Sequence, residues 1–420
     1  MAVQFKHATL DNGLTLIAEV NDQAHTAAGG FFINVGTRDE TSDIMGVSHF
    51  LEHMMFKGTD RRTADDVNRD FDRIGANYNA FTSNENTAYF AQVLPEYLPR
   101  ALDVLSDIMR PTLRGEDFEM EKNVILEEIG MYMDRPFWVA YEHAMEQFFG
   151  GHSLGYRVLG TNHTITDLGR DAMADYFQHR YSPDNMVLAL AGRLDFDAVV
   201  EQIGEACGHW PATGAQRQYQ PDQPTRTEQT LHDAKLTNHY LVSVMPGPSN
   251  QDDRRYAATV LANVLGDADG SRLYWKLIDP GLADEAEFAH HGFDRAGTFL
   301  AFASCPPANA QAVEAGLFEV IDTAGKGLTA GEVERSANKL AMSLTLTNER
   351  PMGRMMALGG RWLYEQAYRP LEEELQRLMA VNVDQIRELL DSFDLSRRTV
   401  VRCSPPPAGS APPHDAGASA

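Results

Sequence analysis

The sequence has few of the features that would mark a specialised class of protein. It contains only three cysteines, Cys207, Cys305 and Cys403, and their wide spacing fits neither a disulfide framework nor a cysteine metal site. It has no uncharged apolar run of about 18 residues, which excludes a transmembrane helix. The first residues show no cationic segment followed by an apolar one, so no signal peptide is visible. We therefore expect a cytoplasmic location, and a periplasmic one stays open if a leader was removed before residue 1.

Positive charge is also scarce. The chain has 36 lysines and arginines against 60 aspartates and glutamates, which gives a formal net charge of −24. Such a field repels the phosphate backbone of nucleic acids unless a local basic patch overrides it. We therefore expect no nucleic-acid partner and no membrane partner, and a solvated acidic surface is the simplest explanation of the charge.

The organisation of the chain indicates two halves. Apolar and charged residues make up 43% and 23% of the 420 residues, as in globular proteins of two or three domains. Residues 211–230 lose apolar periodicity and gather Pro, Gln, Thr and Gly, which is typical of an exposed linker. Strand and helix patterns follow a similar order on both sides, which indicates an internal duplication. We predict domains at 1–210 and 231–403, joined by this linker, and a disordered tail at 404–420.

Segment 42–58 has the pattern of an amphipathic helix. Ser42 or Asp43 can cap its start, and Gly58 can end it. At about 100° per residue, one apolar stripe contains Ile44, Val47, Leu51, Met54 and Met55. A second stripe, on the opposite side, contains His49, Glu52, His53 and Phe56. We expect the first stripe to anchor the helix and the second to present two imidazoles and a carboxylate.

The second stripe has the composition of a metal site. His49 and His53 are one helical turn apart, which lets both imidazoles reach a single zinc ion, with Glu52 beside them. The alternative is a plain solvated helix face, on which the ring of Phe56 would be unusual. The His-x-x-Glu-His spacing therefore favours a zinc-binding helix.

A catalytic zinc site needs a third protein ligand and keeps one open position. The predicted helix at 115–133 offers Glu121 and Glu128, which are about two turns apart and share one face. Glu127 points about 100° away from that face and is expected to be solvated. Spacing alone does not choose between these residues, because acidic side chains are common on helices.

Several stretches in the same order carry a family resemblance. They are His49-Phe-Leu-Glu-His53, Phe56-Lys-Gly-Thr59, Asn79-Ala-Phe-Thr82 with Glu85 and Thr87, Glu121-Lys-Asn-Val-Ile-Leu-Glu-Glu128, His152-Ser-Leu-Gly155 with Leu159-Gly160, and Tyr181-Ser-Pro-Asp-Asn-Met186. They resemble the pitrilysin and insulinase family of metallopeptidases, whose inverted zinc motif gives the name inverzincin. The sequence is most similar to the bacterial branch related to mitochondrial processing peptidase, over nearly the whole chain up to about residue 400.

The resemblance implies a role for each residue of the metal site. It implies that His49, His53 and Glu128 bind zinc. It also implies that Glu52 is the general base for the attacking water and that Glu121 orients the site from behind the ligands. Zinc lowers the pKa of its bound water to about 7, and a nearby carboxylate can then take the proton.

The resemblance also implies a substrate-binding edge. Asn79, Ala80 and Phe81 would belong to an edge strand that pairs with an extended peptide, and Phe56 and Phe81 would line a pocket next to the metal. A simple core position is the alternative for Phe81. Backbone pairing of this kind accepts many sequences and leaves specificity to side-chain pockets.

One departure from the family pattern concerns a second catalytic pair. Family members that work alone or as homodimers usually carry an Arg and a Tyr in the second half, where this chain has Ile278 and Asp284. Arg272 and Tyr274 lie nearby, and whether either substitutes stays open. Two-chain members of the family divide the zinc site and the Arg-Tyr pair between subunits. The resemblance therefore implies a heterodimer, with this chain as the zinc-bearing subunit and a homologous partner supplying the pair.

The expected function is that of a zinc endopeptidase acting on short or unfolded peptides. The expected fold is α+β, with two similar halves, each a mostly antiparallel sheet covered by helices, that form a clamshell around a cavity. One alternative is a catalytically inert structural or binding subunit, like the family's core subunits of respiratory complexes. Such a subunit would have no reason to retain His49, Glu52, His53 and Glu128 together. A zinc hydrolase of small molecules is a third reading, weakened by the peptide-pairing stretch at 79–82.

Overall fold

The computed structural model describes residues 3–220 and 223–407. Its strands are β1 (Gln4–Thr9), β2 (Thr15–Val20), β3 (Ala27–Ile33), β4 (Asn77–Thr82), β5 (Thr87–Val93), β6 (Met186–Gly192), β7 (Glu228–His232), β8 (His239–Pro246), β9 (Glu285–Gly292), β10 (Gly297–Cys305) and β11 (Thr399–Ser404). Its α-helices are α1 (Val47–Met55), α2 (Ala64–Arg73), α3 (Leu98–Ile108), α4 (Gly115–Met133), α5 (Pro136–Phe149), α6 (Asn162–Asp167), α7 (Arg170–Arg180), α8 (Phe196–Cys207), α9 (Arg255–Gly266), α10 (Ala310–Asp322), α11 (Ala330–Asn348), α12 (Pro351–Glu365), α13 (Leu371–Met379) and α14 (Val383–Ser392). Most of the tail expected to be disordered, residues 408–420, lies outside the described residues. Within the described part, no helix is both long enough and apolar enough to cross a bilayer.

The chain packs into two compact units. The first unit is composed of Met1–Ile129, Tyr156–Tyr219 and Thr345–Pro370. The second unit is composed of Gly130–Gly155, Gln220–Leu344 and Leu371–Ala420. Each unit is built around one sheet.

The sheet of the first unit has the strand order β1-β2-β6-β3-β5-β4. Its neighbours are antiparallel except for β2 and β6, which run parallel. The central strands β3 and β6 are buried along their whole length, which fits their nearly continuous apolar sequences. Helix α12 covers one face, where Met355 and Leu358 pack in a core cluster with Phe32 and Val187. Strand β4 forms an edge of this sheet, and that position matters for the site described below.

The sheet of the second unit has the strand order β7-β11-β8-β10-β9. The β7–β11 pair is parallel and the other pairs are antiparallel. Helix α5 packs on this sheet, with the ring of Phe137 4.8 Å from that of Phe302. Without β1, the first sheet reads β2-β6-β3-β5-β4 and has its parallel pair at the same end. This correspondence confirms the α+β class with two similar, mostly antiparallel halves covered by helices.

The two units are not two continuous halves of the chain, because each includes a helix from the other half of the sequence. Helix α5 lies within residues 130–155 and belongs to the second unit, whereas α12 lies within 345–370 and belongs to the first. The boundaries 1–210 and 231–403 therefore do not capture this assignment of segments. A helical pattern shows that one face is apolar, but it does not show which sheet that face covers. The expected linker also contributes to packing, since Arg217 is 7% exposed.

Candidate metal centre

The motif His49-Phe-Leu-Glu-His53 lies on α1, which is shorter than the helix predicted at 42–58. A 3₁₀ turn at Ser42–Ile44 comes first, and the helix begins after Gly46. The backbone of Gly46 has φ +95°, and an added Cβ would lie 2.7 Å from the carbonyl oxygen of Leu159. This left-handed residue interrupts the helical path, which is why Ser42 and Asp43 do not cap α1. The apolar stripe is otherwise confirmed, because its members Val47, Leu51, Met54 and Met55 are buried.

Three side chains meet with the geometry of a metal site. The donor atoms of His49, His53 and Glu128 all lie within 4.8 Å of one another, the one such group of histidine, cysteine and acidic residues in the described chain. Glu128 Oε2 is 3.8 Å from His49 Nε2 and 3.7 Å from His53 Nε2. Zinc bonds of about 2.0–2.1 Å place tetrahedral ligands roughly 3.4 Å apart, and both distances from Glu128 to the imidazoles lie close to that spacing. Two imidazoles and one carboxylate are also a donor set of catalytic zinc.

His53 is oriented by a carboxylate behind it. Its Nδ1 lies 2.8 Å from Glu121 Oε1, so a proton on Nδ1 is donated to Glu121 and leaves Nε2 free for a metal. Glu121 also forms an ion pair with Lys57 Nζ at 2.5 Å. Burial by itself would lower the pKa of His53, but the hydrogen bond and charge of Glu121 outweigh it and raise the pKa. The pKa of Glu121 is lowered, since His53 and Lys57 outweigh the effect of burial.

His49 is held differently. Its side chain is buried, and Nδ1 has no hydrogen-bond partner among the described residues. Burial, and after it the nearby charge of His53, lowers the pKa of His49 to about 3. The imidazole is therefore neutral at physiological pH, which is the form that binds a metal. No side chain among those described fixes the direction of its ring through Nδ1.

Glu52 lies on α1 between His49 and His53 and is not one of the three residues of the candidate metal group. Its Oε2 accepts a hydrogen bond of 2.6 Å from Thr82 Oγ1, which ties α1 to the edge strand β4. Burial raises the pKa of Glu52, while the Thr82 hydrogen bond and the charge of His53 act in the opposite direction. A carboxyl with a raised pKa is a better general base at neutral pH than an ordinary one.

Strand β4 has the edge position expected for a peptide-pairing strand. Asn79, Ala80 and Phe81 lie within it and pair with β5 on one side. The side chains of a strand alternate between faces. Tyr78 lies near Phe56, with ring centroids 6.3 Å apart, so this face of β4 is on the side of α1.

Phe81 lies on the opposite face of β4 from Tyr78. It packs against the core cluster that contains residues of α12, and its ring is 6.3 Å from that of Phe90. Phe56 instead lies 6.0 Å from Tyr89 on the α1 side. The expectation that Phe56 and Phe81 line one pocket is therefore wrong, because strand alternation separates the two rings.

The positions expected for the Arg-Tyr pair carry no equivalent groups. Ile278 ends a π-helical turn at Tyr274–Ile278, and the exposed Asp284 accepts a hydrogen bond of 2.8 Å from Asn238. Arg272 donates to Glu332 at 2.8 Å and to the carbonyl oxygen of Ala324 at 2.9 Å. These contacts give Arg272 a structural task within the second unit. Its side chain is not free to replace the missing Arg.

Sequence reasoning missed three residues that support the site. Thr82 holds Glu52, Lys57 holds Glu121, and Glu40 accepts hydrogen bonds from the start of α1. Thr82 and Lys57 were within recognisable motifs, but their partners are distant in sequence. Glu40 had no periodic signal at all, because it lies on a loop.

A group of two histidines and one glutamate, buried at His49 and partly buried at His53 and Glu128, with a further carboxylate beside it, is the arrangement of a zinc hydrolase. Comparisons with known proteins agree with this class. Residues 16–162 match the family described as insulinase (peptidase family M16), and residues 167–340 match its "peptidase M16 inactive domain". An uncharacterized zinc protease of Bacillus subtilis, YmxG, is 33% identical over 387 residues, covering 91% of this chain and 94% of the relative. The chain belongs to peptidase family M16, the insulinase family.

Other relatives and solved structures are consistent with this membership. An uncharacterized zinc protease of Streptomyces coelicolor is 33% identical over 91% of this chain and 85% of its own length. A protease from Helicobacter pylori has the same fold, with a TM-score of 0.88, 19% identity and coverage of 96% and 100%. A chain of the Candida albicans complex III2 also shares it, with a TM-score of 0.83, 18% identity and 95% coverage of both chains. The Bacillus subtilis and Streptomyces coelicolor relatives are named zinc proteases, and the donor set of this chain fits zinc as its cofactor.

Proposed function

We propose that this chain is a zinc endopeptidase that hydrolyses short or unfolded peptides. The observation that carries the proposal is the group of His49, His53 and Glu128, whose donor atoms lie within 4.8 Å of one another, with Glu52 beside it. These three residues would hold the zinc ion, and bound zinc polarises a peptide carbonyl and activates a water molecule. The cavity expected between two halves would restrict substrates to chains that fit inside, and it stays a prediction.

The residues of the chain have separate tasks in this reaction. Glu52 takes a proton from the attacking water and can return it to the leaving amine. Thr82 holds the Glu52 carboxylate in place through its 2.6 Å hydrogen bond. Glu121 keeps His53 in the tautomer that leaves Nε2 free.

The edge strand β4 would bind the substrate backbone. Asn79, Ala80 and Phe81 lie on a strand that has a partner, β5, on one side. An extended peptide can add to such an edge through main-chain hydrogen bonds. The Thr82–Glu52 hydrogen bond brings the end of this strand to the proposed base, so a peptide bound there would be near the metal. Phe56, half-buried between Tyr78 and Tyr89, would contribute apolar contacts on the same side.

The test of this function replaces Glu52 with glutamine. The amide has the same shape but cannot accept the proton of water, so we expect peptide cleavage to fall about 10²–10⁴-fold with zinc still bound. Cleavage of unfolded peptides and zinc content are measured on the same samples. Glu127→Gln, an exposed change on α4, is the matched control and should leave both values unchanged. A Glu52→Gln variant within about threefold of the wild-type rate would contradict the assignment.

We also propose that full activity requires a homologous partner subunit that supplies an Arg and a Tyr. Asp284 supports this proposal, because a carboxylate cannot donate a hydrogen bond to a developing oxyanion and its negative charge would repel it. Arg272 is bound to Glu332, which argues against Arg272 as a substitute for the pair's Arg.

An inert structural subunit remains the second candidate. Residues 167–340 match a domain described as inactive, and a chain of the Candida albicans complex III2 has the same fold. This alternative predicts a chain without peptidase activity under any combination of zinc and partner. The clustering of three metal-binding side chains and a base argues against it.

A further inference from the structure

A buried glutamate lies behind the first turn of the metal-binding helix. Glu40 is 5% exposed, and its carboxylate accepts two backbone hydrogen bonds. Gly46 N donates to Oε2 at 2.7 Å, and Ser48 N donates to Oε1 at 2.8 Å. The first amides of a helix have no partner within the helix, and the N-cap residue Gly46 has no side chain to supply one. Glu40 therefore does for α1 what a capping side chain usually does.

The backbone just before Glu40 is held by two ion pairs. Arg38 Nη1 lies 2.5 Å from Glu85 Oε1, and Arg217 Nη2 lies 2.7 Å from Asp39 Oδ2. The side chains of all four residues are almost completely buried, so these ion pairs are shielded from water and salt. The two residues before Glu40 are thus anchored by buried partners, and the Glu40 carboxylate connects them to the start of α1.

His49 depends on this first turn more than His53 does. Glu121 fixes the ring of His53 through Nδ1, whereas Nδ1 of His49 has no hydrogen-bond partner among the described residues. The direction of the His49 ring is therefore set by its backbone and by the packing around it. That backbone directly follows Ser48, whose amide is bound to Glu40.

Stability alone does not explain an acidic residue at this position. Burial raises the pKa of Glu40 to about 7, even though the hydrogen bonds from Gly46 and Ser48 act in the opposite direction. Keeping a carboxylate here is therefore costly for folding, as it is for other buried charges. A residue that is costly to bury and attached to a metal-binding turn points to a role in the site.

We propose that Glu40 is a positioning residue of the metal centre, which holds the first turn of α1 so that His49 faces His53 and Glu128. This inference rests on the proposed zinc-dependent function. Glu40 contacts neither substrate nor metal in this account, and it acts through the backbone of Ser48. Losing it should weaken zinc binding and slow the chemical step, without changing how the substrate backbone binds at β4.

The experiment compares Glu40→Gln with Asp195→Asn in the full chain. Asp195 caps α8 by accepting from the amides of Asp197 and Ala198. Its change to an amide is the same alteration at the start of a helix that carries none of the proposed site residues. Zinc dissociation constants are measured by competition with a chelator, and kcat and KM are measured at saturating zinc. We expect Glu40→Gln to raise the zinc dissociation constant about tenfold and to lower kcat, with KM within about threefold of wild type. Asp195→Asn should change none of these values.

Glu40→Asp serves as a second variant if Glu40→Gln does not fold. The shorter aspartate side chain keeps the charge but can bind only one of the two amides well. We therefore expect zinc affinity to fall, but by less than in Glu40→Gln. In one outcome, the wild-type protein binds zinc and cleaves peptide while a folded Glu40 variant has the same zinc affinity and the same kcat. That result overturns the role of Glu40 and leaves the proposed function standing. Wild-type protein that binds no zinc overturns the proposed function instead.

Discussion

At the scale of single residues, His53, Glu121 and Lys57 form a row of charged and hydrogen-bonded side chains. Glu121 bridges the two, with 2.8 Å to His53 Nδ1 and 2.5 Å to Lys57 Nζ. The lysine compensates the buried carboxylate, and the carboxylate in turn makes His53 a better donor to a metal. We therefore predict that Glu121 influences the metal through His53 without contacting it.

Replacing Glu121 with glutamine tests this arrangement. The neutral amide removes the charge that favours the Nδ1–H tautomer, so we expect zinc affinity to fall about 10–100-fold. The measurement is the zinc dissociation constant by chelator competition. Glu127→Gln, on the same helix but exposed, is the control. Equal zinc affinity in the two variants would show that Glu121 has no influence on the ligand His53.

The sequence predicts part of the residue-level site well and part of it not at all. His49, Glu52 and His53 lie within five residues of one helix, so local geometry places them together whatever the rest of the fold does. Glu128 lies on another helix, and spacing alone left it equivalent to Glu121. Glu40 acts on backbone amides through a loop, and no periodic pattern records such a contact.

At the scale of elements, the start of α1 is determined by the backbone and not by a capping side chain. The predicted start near residue 42 rested on the capping preference of Ser42 and Asp43, which is a local signal. The structure starts the helix at Val47, since Gly46 adopts a left-handed conformation and packs against Leu159 and Gly160. Tertiary contacts thus override a local preference.

The change Gly46→Ala tests the importance of this start. An alanine would be strained at φ +95° and would place its Cβ 2.7 Å from the Leu159 carbonyl oxygen. We expect the free energy of unfolding to fall by about 1–3 kcal/mol, with zinc affinity reduced in parallel. Chemical denaturation measures the first value and chelator competition the second.

Gly75→Ala is the matched control for that change. Gly75 also has a positive φ, +61°, but an added Cβ there meets nothing within 4 Å. It therefore reports the cost of the backbone conformation alone. If the two variants lose equal stability, close packing around Gly46 is not what determines the start of α1.

The start of α11 carries a pH-dependent contribution to stability. Glu332 accepts from Thr329 N at 2.9 Å and from Arg272 Nε at 2.8 Å. Burial acts to raise the pKa of Glu332, but the bonds from Arg272 and Thr329 outweigh it and lower the pKa to about 2 from its usual 4.5. Since the folded-state pKa is depressed, this stabilisation is complete above pH about 4.5 and is lost as the pH falls towards 2.

We expect Glu332→Gln to lower the free energy of unfolding by about 1 kcal/mol at neutral pH, because it removes the charged partner of Arg272. The difference from wild type should shrink as the pH falls below 4.5. Thermal unfolding at a series of pH values measures it, with Glu334→Gln, an exposed change on the same helix, as the control. A difference that grows on acidification would contradict the assigned sign.

At the scale of the whole molecule, the sequence predicts two similar halves because strand and helix patterns recur. The two sheet orders confirm that the halves are similar. The assignment of α5 and α12 could not be read from the sequence, since their apolar faces are compatible with either sheet. Connections along the chain are therefore a poor guide to which segments pack together.

The divided-site proposal makes a prediction about the assembled enzyme. The isolated chain should cleave peptides slowly, and a homologous subunit with the Arg-Tyr pair should raise kcat/KM about 10²–10³-fold. The assay titrates the partner against a fixed amount of this chain. A partner with Tyr changed to Phe is the control, and it should stimulate much less. Rapid cleavage by the isolated chain, unaffected by the partner, would mean that no second subunit completes the site.

The exchange of helices has a consequence for how the protein is made. Helix α12, which covers the first sheet, is encoded near the end of the chain, so a ribosome must translate past residue 365 before Phe32 and Val187 lose contact with water. The emerging N-terminal half therefore presents an apolar sheet face throughout most of its synthesis, and such surfaces are bound by chaperones or aggregate. For the same reason, a gene cut at the linker would yield two products that each lack a helix of their own core.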